Sequence, residues 1–159
     1  FVAGSNMLNC NLIKGSTYAL YIQHLIKKYK LTNNIKFLGP QNEEQMKNEM
    51  LRANVFVSPS TIENSPNSLG EAMILGVPCI SSAVGGVADL MIHNEEGYIY
   101  PLDESYMLAH YIIKIFEKGA IAKEMGKKAH NHANITHNPE RNFMQLLKIY
   151  EIIKSGSVK

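Results

Sequence analysis

Short apolar runs punctuated by glycine, proline, serine and asparagine alternate along this chain with longer stretches whose apolar residues recur at helical spacing. That is the order of a parallel sheet with helices on both faces. It predicts strands at about residues 1 to 4, 35 to 38, 54 to 58, 77 to 81 and 97 to 100. Tyr18, Tyr21, Ile22, Leu25, Ile26 and Tyr29 share one face of a helix over about Thr17 to Lys30. Asn42 and Gln45 have capping-box spacing and open a helix to about Arg52. After the fifth strand the chain turns helical to its end. Asp103 is placed to cap a helix whose inward face is Met107, Leu108, Tyr111, Ile112 and Ile115. A shorter helix is predicted over about Ile121 to Asn131, and Asn138-Pro139 starts a last one with Phe143, Leu146, Leu147, Tyr150 and Ile153 on one side. The fold class is therefore α/β: a doubly wound parallel sheet of about five strands, with helices on both faces and a helical C-terminal tail.

The chemically richest stretch follows the strand-like run Val55-Phe56-Val57-Ser58. It reads Glu63-Asn64-Ser65-Pro66-Asn67-Ser68-Leu69-Gly70-Glu71. Ser65 suits a helix cap, Pro66 the first helical position, and Gly76-Val77-Pro78 the stop, which punctuates a helix of about ten residues. The first N–H groups of a helix have no partner within it, so those of Asn67, Ser68 and Leu69 are expected to point outward and to favour a phosphate. Glu63 precedes them and Glu71 follows. An ionised carboxylate only accepts hydrogen bonds, so it is a poor neighbour for phosphate and a good one for a vicinal diol. The layout suits a ligand in which hydroxyls flank phosphates, as in a nucleoside diphosphate sugar. Alone, two glutamates eight positions apart read more simply as a loop residue and a solvated helix residue.

Composition narrows the classes. A chain of 159 residues with 45% hydrophobic and 19% charged content can bury a core. The formal charge of +2 is small, and Lys27, Lys28, Lys30, Lys127 and Lys128 fall at helix ends, where cations complement the dipole; no nucleic-acid partner is expected. No apolar run has the length of a membrane span. Cys10 and Cys79 have no metal-like spacing, and Cys79 lies in an apolar run where a buried thiol fits, which suits a reducing cytoplasm. His130, His132 and His137 lack the spacing of a ligand set, so no metal is expected. Gly4-Ser5-Asn6 is not G-x-G-x-x-G, which disfavours a nicotinamide dinucleotide, and Gly85-Gly86 suits a tight turn beneath a site.

Several pieces in a fixed order carry a resemblance: Val2-Ala3-Gly4, Ile35-Lys36-Phe37-Leu38-Gly39, Ala53 to Ser60, the two-glutamate motif, Gly76-Val77-Pro78, Val84-Gly85-Gly86-Val87, and Glu96-Gly97-Tyr98 running to Pro101-Leu102-Asp103. From Phe1 to about Tyr150 the chain resembles the later part of the C-terminal, donor-binding domain of a group 1, family 4 glycosyltransferase of GT-B architecture. Asn64-Ser65-Pro66-Asn67 stands where many members have Phe-Gly after the first glutamate, and Asp89 where Glu is usual.

The resemblance implies a Rossmann-like fold and a retaining transfer of a sugar from a nucleoside diphosphate donor to a glycan or lipid-linked acceptor. It implies Glu63 as the catalytic-site carboxylate near the reacting carbon and Glu71 on the ribose hydroxyls. The N–H groups of Asn67, Ser68 and Leu69 fall to the distal phosphate, with Asn64, Ser65 and Pro66 in the same turn. Gly4, Gly39, Pro40 and Gln41 line the donor loops, the last three near the base. It implies no cofactor and no metal, protein cations neutralising the phosphates. Residues 1 to 159 are expected to be part of a longer chain, since Phe1 opens inside a strand. The expected missing parts are a basic Arg and Lys pair and an N-terminal acceptor domain, through which a peripheral contact with the cytoplasmic membrane face stays open. The last helix is expected to expose part of its apolar face and to favour self-association. A nucleotide-sugar epimerase of the same architecture and a non-catalytic nucleotide-sugar-binding module stay open as alternatives.

Overall fold

The computed structural model describes residues 1–3 and 17–156 and resolves the alternation into five strands and seven helices among them. The strands form two parallel sheets rather than one, β1-β2 and β3-β4-β5, and the chain divides into two compact units, Phe1–Glu49 and Met50–Lys159.

The first unit pairs β1 (Val2–Ala3) with β2 (Phe37–Gly39) in parallel, Val2 against Phe37 and Ala3 against Gly39. Helix α1 (Thr17–Lys28) joins them, ending earlier than expected because Lys30 adopts a left-handed φ of 56° that no helix continues. Its buried residue is Ala19, whereas Tyr18, Tyr21 and Tyr29 are exposed and only Ile22, Leu25 and Ile26 of the predicted face are half-buried. Helix α2 (Glu43–Arg52) opens on the predicted capping box: Asn42 Oδ1 accepts the Gln45 N–H at 2.9 Å, and Gln45 Oε1 accepts the Asn42 N–H at 3.0 Å.

In the second unit β3 (Phe56–Ser58), β4 (Cys79–Ser82) and β5 (Gly97–Tyr100) pair in chain order, all parallel. Central β4 is buried along its whole length, as a strand covered on both faces requires. Helix α3 (Asn67–Ile74) crosses from β3 to β4 and buries Leu69, Ala72 and Met73; the four-residue α4 (Val87–Leu90) lies between β4 and β5, where only a turn is expected from sequence. Helix α5 (Ser105–Glu117) starts after Glu104, not at a capping Asp103, and Glu104 makes no side-chain cap. Tyr111 and Ile115 of its predicted face are buried, with Met107, Leu108 and Ile112 packed beside them. They join Ile80, Tyr98 and Tyr100 of the sheet and Ala122 and Met125 of α6 (Gly119–Thr136) in one core cluster. The Tyr98 and Tyr111 rings stack at 4.4 Å, with the Lys114 ammonium 4.7 Å from the Tyr98 ring centre.

Helix α6 is longer than the predicted 121 to 131 because its alanines and Gly126 let it lie close along α3. A Cβ on Gly126 would overlap the Gly76 carbonyl, and Ala129 and Ala133 are fully buried. Helix α7 (Pro139–Lys154) has the predicted cap, Asn138 Oδ1 accepting the Arg141 N–H at 2.8 Å, and it buries none of its residues.

Candidate donor site at the start of α3

In an open parallel sheet, ligands collect at the carboxyl ends of the strands. The segment from Pro59 to Pro66 leaves the carboxyl end of β3 and delivers the chain to α3. The helix begins one residue later than the sequence suggests. Pro66, with φ −73° and ψ 105°, is the cap residue, and its carbonyl accepts the N–H groups of Leu69 at 3.1 Å and Gly70 at 3.4 Å. A side-chain cap bonds two or three residues ahead, so Ser65 stands one position too far out and makes no cap bond. The later start changes the expected anion seat at one residue. Leu69 leaves it, because its N–H is taken by Pro66 and its side chain is wholly buried. Asn67 and Ser68 stay in it: both are exposed, and neither N–H finds an acceptor among the described residues.

Glu71 lies one turn beyond Asn67, on the same face of α3, and is exposed. Glu63 is half-buried, and its Oε1 accepts the Ser60 hydroxyl at 2.9 Å. Its backbone is clamped from below by the turn after β4. Gly86 N–H donates to the Asn64 carbonyl at 2.7 Å. Gly85 holds φ +52°, and a Cβ there would lie 2.7 Å from the Asn64 oxygen and nearer still to that of Glu63. Only glycine fits such an approach in that conformation, which gives the expected tight turn a specific duty.

The other end of α3 is tied to α6. His130 Nδ1 donates to the Ile74 carbonyl at 2.5 Å while its Nε2 meets the Asn134 amide at 3.0 Å, a pattern met by the neutral Nδ1–H tautomer. His132 Nδ1 meets buried Glu96 at 2.9 Å, and Glu96 also accepts the Ile92 N–H. The His137 ring lies against Gly70, where a Cβ would come within 2.8 Å of Nε2. His130 and His137 join α6 to α3, and His132 joins α6 to the segment before β5; among the described residues no three histidine, cysteine or acidic side chains gather as metal ligands do.

In the first unit, Gly39 is buried with φ +70°, and the Gln41 amide turns back to donate to the carbonyls of Leu38 at 2.8 Å and Pro40 at 3.0 Å. The loop is thus a self-bonded turn. Gly4 lies outside the described residues, as does Cys10. Cys79 is fully buried, and burial pushes its thiol up to about 12. Residues missed by sequence reasoning are Ser60 and Ser82. The spacing Ser60-x-x-Glu63 was the available signal for the first; nothing local marks the second.

The sequence model of the family described as "Glycosyl transferases group 1" matches residues 3–132. The N-acetyl-alpha-D-glucosaminyl L-malate synthase of Bacillus anthracis is 26% identical over 129 residues, which are 81% of this chain and 33% of that protein. The amylovoran biosynthesis glycosyltransferase AmsK of Erwinia amylovora is 27% identical over 127 residues, 76% of this chain and 31% of that one. The chain thus spans about a third of the length of these two curated relatives. The solved sucrose-phosphate synthase of Thermosynechococcus elongatus matches with a TM-score of 0.80 at 29% identity, over 96% of this chain and 37% of that chain. Anabaena HepE, solved in complex with UDP-glucose, shares the fold with a TM-score of 0.72 at 22% identity, over 83% of this chain and 35% of that chain.

Proposed function

The chain belongs to the group 1 family of glycosyl transferases, and on that premise we propose that it supplies the donor side of a retaining transfer from a nucleoside diphosphate sugar to a glycan or lipid-linked acceptor. The observation that carries this is that Asn67 and Ser68 are exposed and that neither N–H finds an acceptor among the described residues, with Glu71 one turn beyond on the Asn67 face. In this reading the two amides receive the distal phosphate, Glu71 accepts from the ribose hydroxyls, and Glu63 faces the transferred sugar.

Each assignment follows from charge. As the bond from the anomeric carbon to the diphosphate oxygen lengthens, negative charge grows on the leaving group and positive charge on the sugar ring. Helix N–H groups stabilise the first. A nearby carboxylate stabilises the second, so Glu63 is an electrostatic and orienting residue. The acceptor hydroxyl then bonds the anomeric carbon on the face the diphosphate left, and its proton passes to the departing diphosphate. No cofactor enters this scheme, and protein cations rather than a metal are assigned to the phosphates. The acceptor side belongs to a separate N-terminal domain in this reading, and the place of work is cytoplasmic. Among the described residues no helix is long and apolar enough to cross a membrane.

A helix terminus contributes about 0.3 to 1 kcal/mol per favourable charge, and up to ~2 when partly buried. The isolated chain is therefore expected to bind donor no tighter than about millimolar, about 4 kcal/mol, and to be inactive by itself. The fold neighbour solved with UDP-glucose makes a uridine diphosphate sugar the first donor to try. The test is transfer kinetics on the intact protein. Glu71→Ala should raise the donor KM with little change in kcat, and Glu63→Ala should lower kcat more than it changes KM. Full activity in both variants would overturn the proposal.

A further inference from the structure

The serines at the carboxyl ends of β3 and β4 form a chain of donors that ends on Glu63. Ser82, fully buried, donates its hydroxyl to the Ser60 carbonyl at 2.6 Å. Ser60 in turn donates its own hydroxyl to Glu63 Oε1 at 2.9 Å. Ser81 and Ser82 also reach the Ser58 carbonyl at 3.4 Å each, which ties the end of β4 to the end of β3. Two independent restraints therefore act on Glu63. The Gly85-Gly86 turn fixes its backbone, and the serine chain fixes its carboxylate.

A half-buried carboxylate with one oxygen engaged by a hydroxyl has few orientations left. No described residue takes the other oxygen of Glu63. Hydroxyl to carboxylate is a charge-assisted hydrogen bond, stronger than a neutral one. Its donor sits on backbone held by a residue with no exposure, so the restraint reaches Glu63 from the sheet rather than from the loop. We infer that Ser60 is a positioning residue that aims Glu63 at the donor sugar, with Ser82 as its anchor in the sheet. This inference rests on the reading of Glu63 as the carboxylate beside the reacting carbon.

The experiment is a double-mutant cycle in the intact protein, with transfer from a uridine diphosphate sugar as readout: Ser60→Ala, Glu63→Ala, the double variant, and Ser60→Thr. A misplacement of about 1 Å at a reacting group costs up to about a hundredfold. Ser60→Ala is expected to lower kcat about ten- to a hundredfold while the donor KM stays within about twofold. Ser60→Thr, which keeps the hydroxyl, is expected to restore most of it. In the Glu63→Ala background, Ser60→Ala is expected to cost nothing more, because there is no carboxylate left to aim. If Ser60→Ala lowers kcat by the same factor with or without Glu63, or if Ser60→Thr is as slow as Ser60→Ala, the positioning role is wrong while the role of Glu63 stands. If Glu63→Ala alone leaves kcat unchanged, the underlying reading fails and this inference with it.

Discussion

Replacing Gly85 by alanine strikes the contact on which the geometry of Glu63 depends. The residue holds φ +52°, where a Cβ costs about 1 to 2 kcal/mol. The same Cβ would press on the carbonyls of Glu63 and Asn64, with the Asn64 oxygen at 2.7 Å. Both obstacles are backbone, so neither can swing away as a side-chain tip would. The loop must move, straining its surroundings by about 1 to 3 kcal/mol as an overpacked site does. Movement also breaks the 2.7 Å bond from Gly86 N–H to the Asn64 carbonyl, which contributes about 1 kcal/mol. The sum is about 3 to 6 kcal/mol, and for a chain of this size it lowers Tm by roughly 6 to 24 °C. Thermal unfolding followed by circular dichroism measures this. Gly119→Ala is the control, because nothing lies within 4 Å of its added Cβ and it sits in α6, so alanine there should be neutral or slightly stabilising. Gly85→Asn separates the causes: asparagine tolerates a positive φ, so it should recover the conformational part and keep the steric part. In the intact protein Gly85→Ala should also reduce kcat about a hundredfold by shifting Glu63. A Gly85→Ala protein that melts within about 1 °C of its parent would show that the turn does not press on the Glu63 loop and does not clamp the Glu63 backbone.

Gly126→Ala places a methyl against the Gly76 carbonyl and should cost about 1 to 3 kcal/mol by urea denaturation, since α6 can only relieve it by leaving α3. Tyr111→Ala removes the ring stacked on Tyr98 in the core cluster and should cost about 3 to 5 kcal/mol in the same assay. Cys79 should resist iodoacetamide at pH 8 in the folded protein and react after denaturation, read by mass spectrometry, because its thiol is buried and pushed up to about 12. The same shift has a sign for stability. Between an ordinary thiol value near 9.0 and about 12 the unfolded chain has released this proton while the folded chain has kept it. Stability should therefore fall with rising pH in that window, by about 1.4 kcal/mol per unit from this group, and be unaffected by it below pH 9.

Local rules account for much of what the sequence disclosed. The capping box at Asn42 and Gln45, the Asn138 cap of α7 and the inward face of α5 each depend on residues three or four apart, and all three are present in the structure. The strands in order, and a helix start within a residue of Pro66 after β3, were legible because glycine, proline and asparagine punctuate apolar runs. The start of α3 was misread by one residue. Pro66 fits either a cap or a first helical position, and only the direction of its carbonyl decides, which took Leu69 out of the anion seat. The inner side of α1 differs from its predicted face because periodicity marks apolar residues without saying which of them a neighbour covers, and Ala19 is buried while Tyr18, Tyr21 and Tyr29 are exposed.

By itself, then, the sequence determined the α/β alternation and the two glutamates around a helix start, since both are written in contiguous residues. Tertiary structure alone decided what holds that start in place. Ser82 lies 22 positions from Ser60, and Gly85 lies a strand and a helix away from Glu63, so their contacts exist only once β4 has paired with β3. Local propensity acts over a turn or two of chain, whereas a clamp made of hydrogen bonds and van der Waals contact is set by which distant backbones the sheet brings within 3 Å of one another.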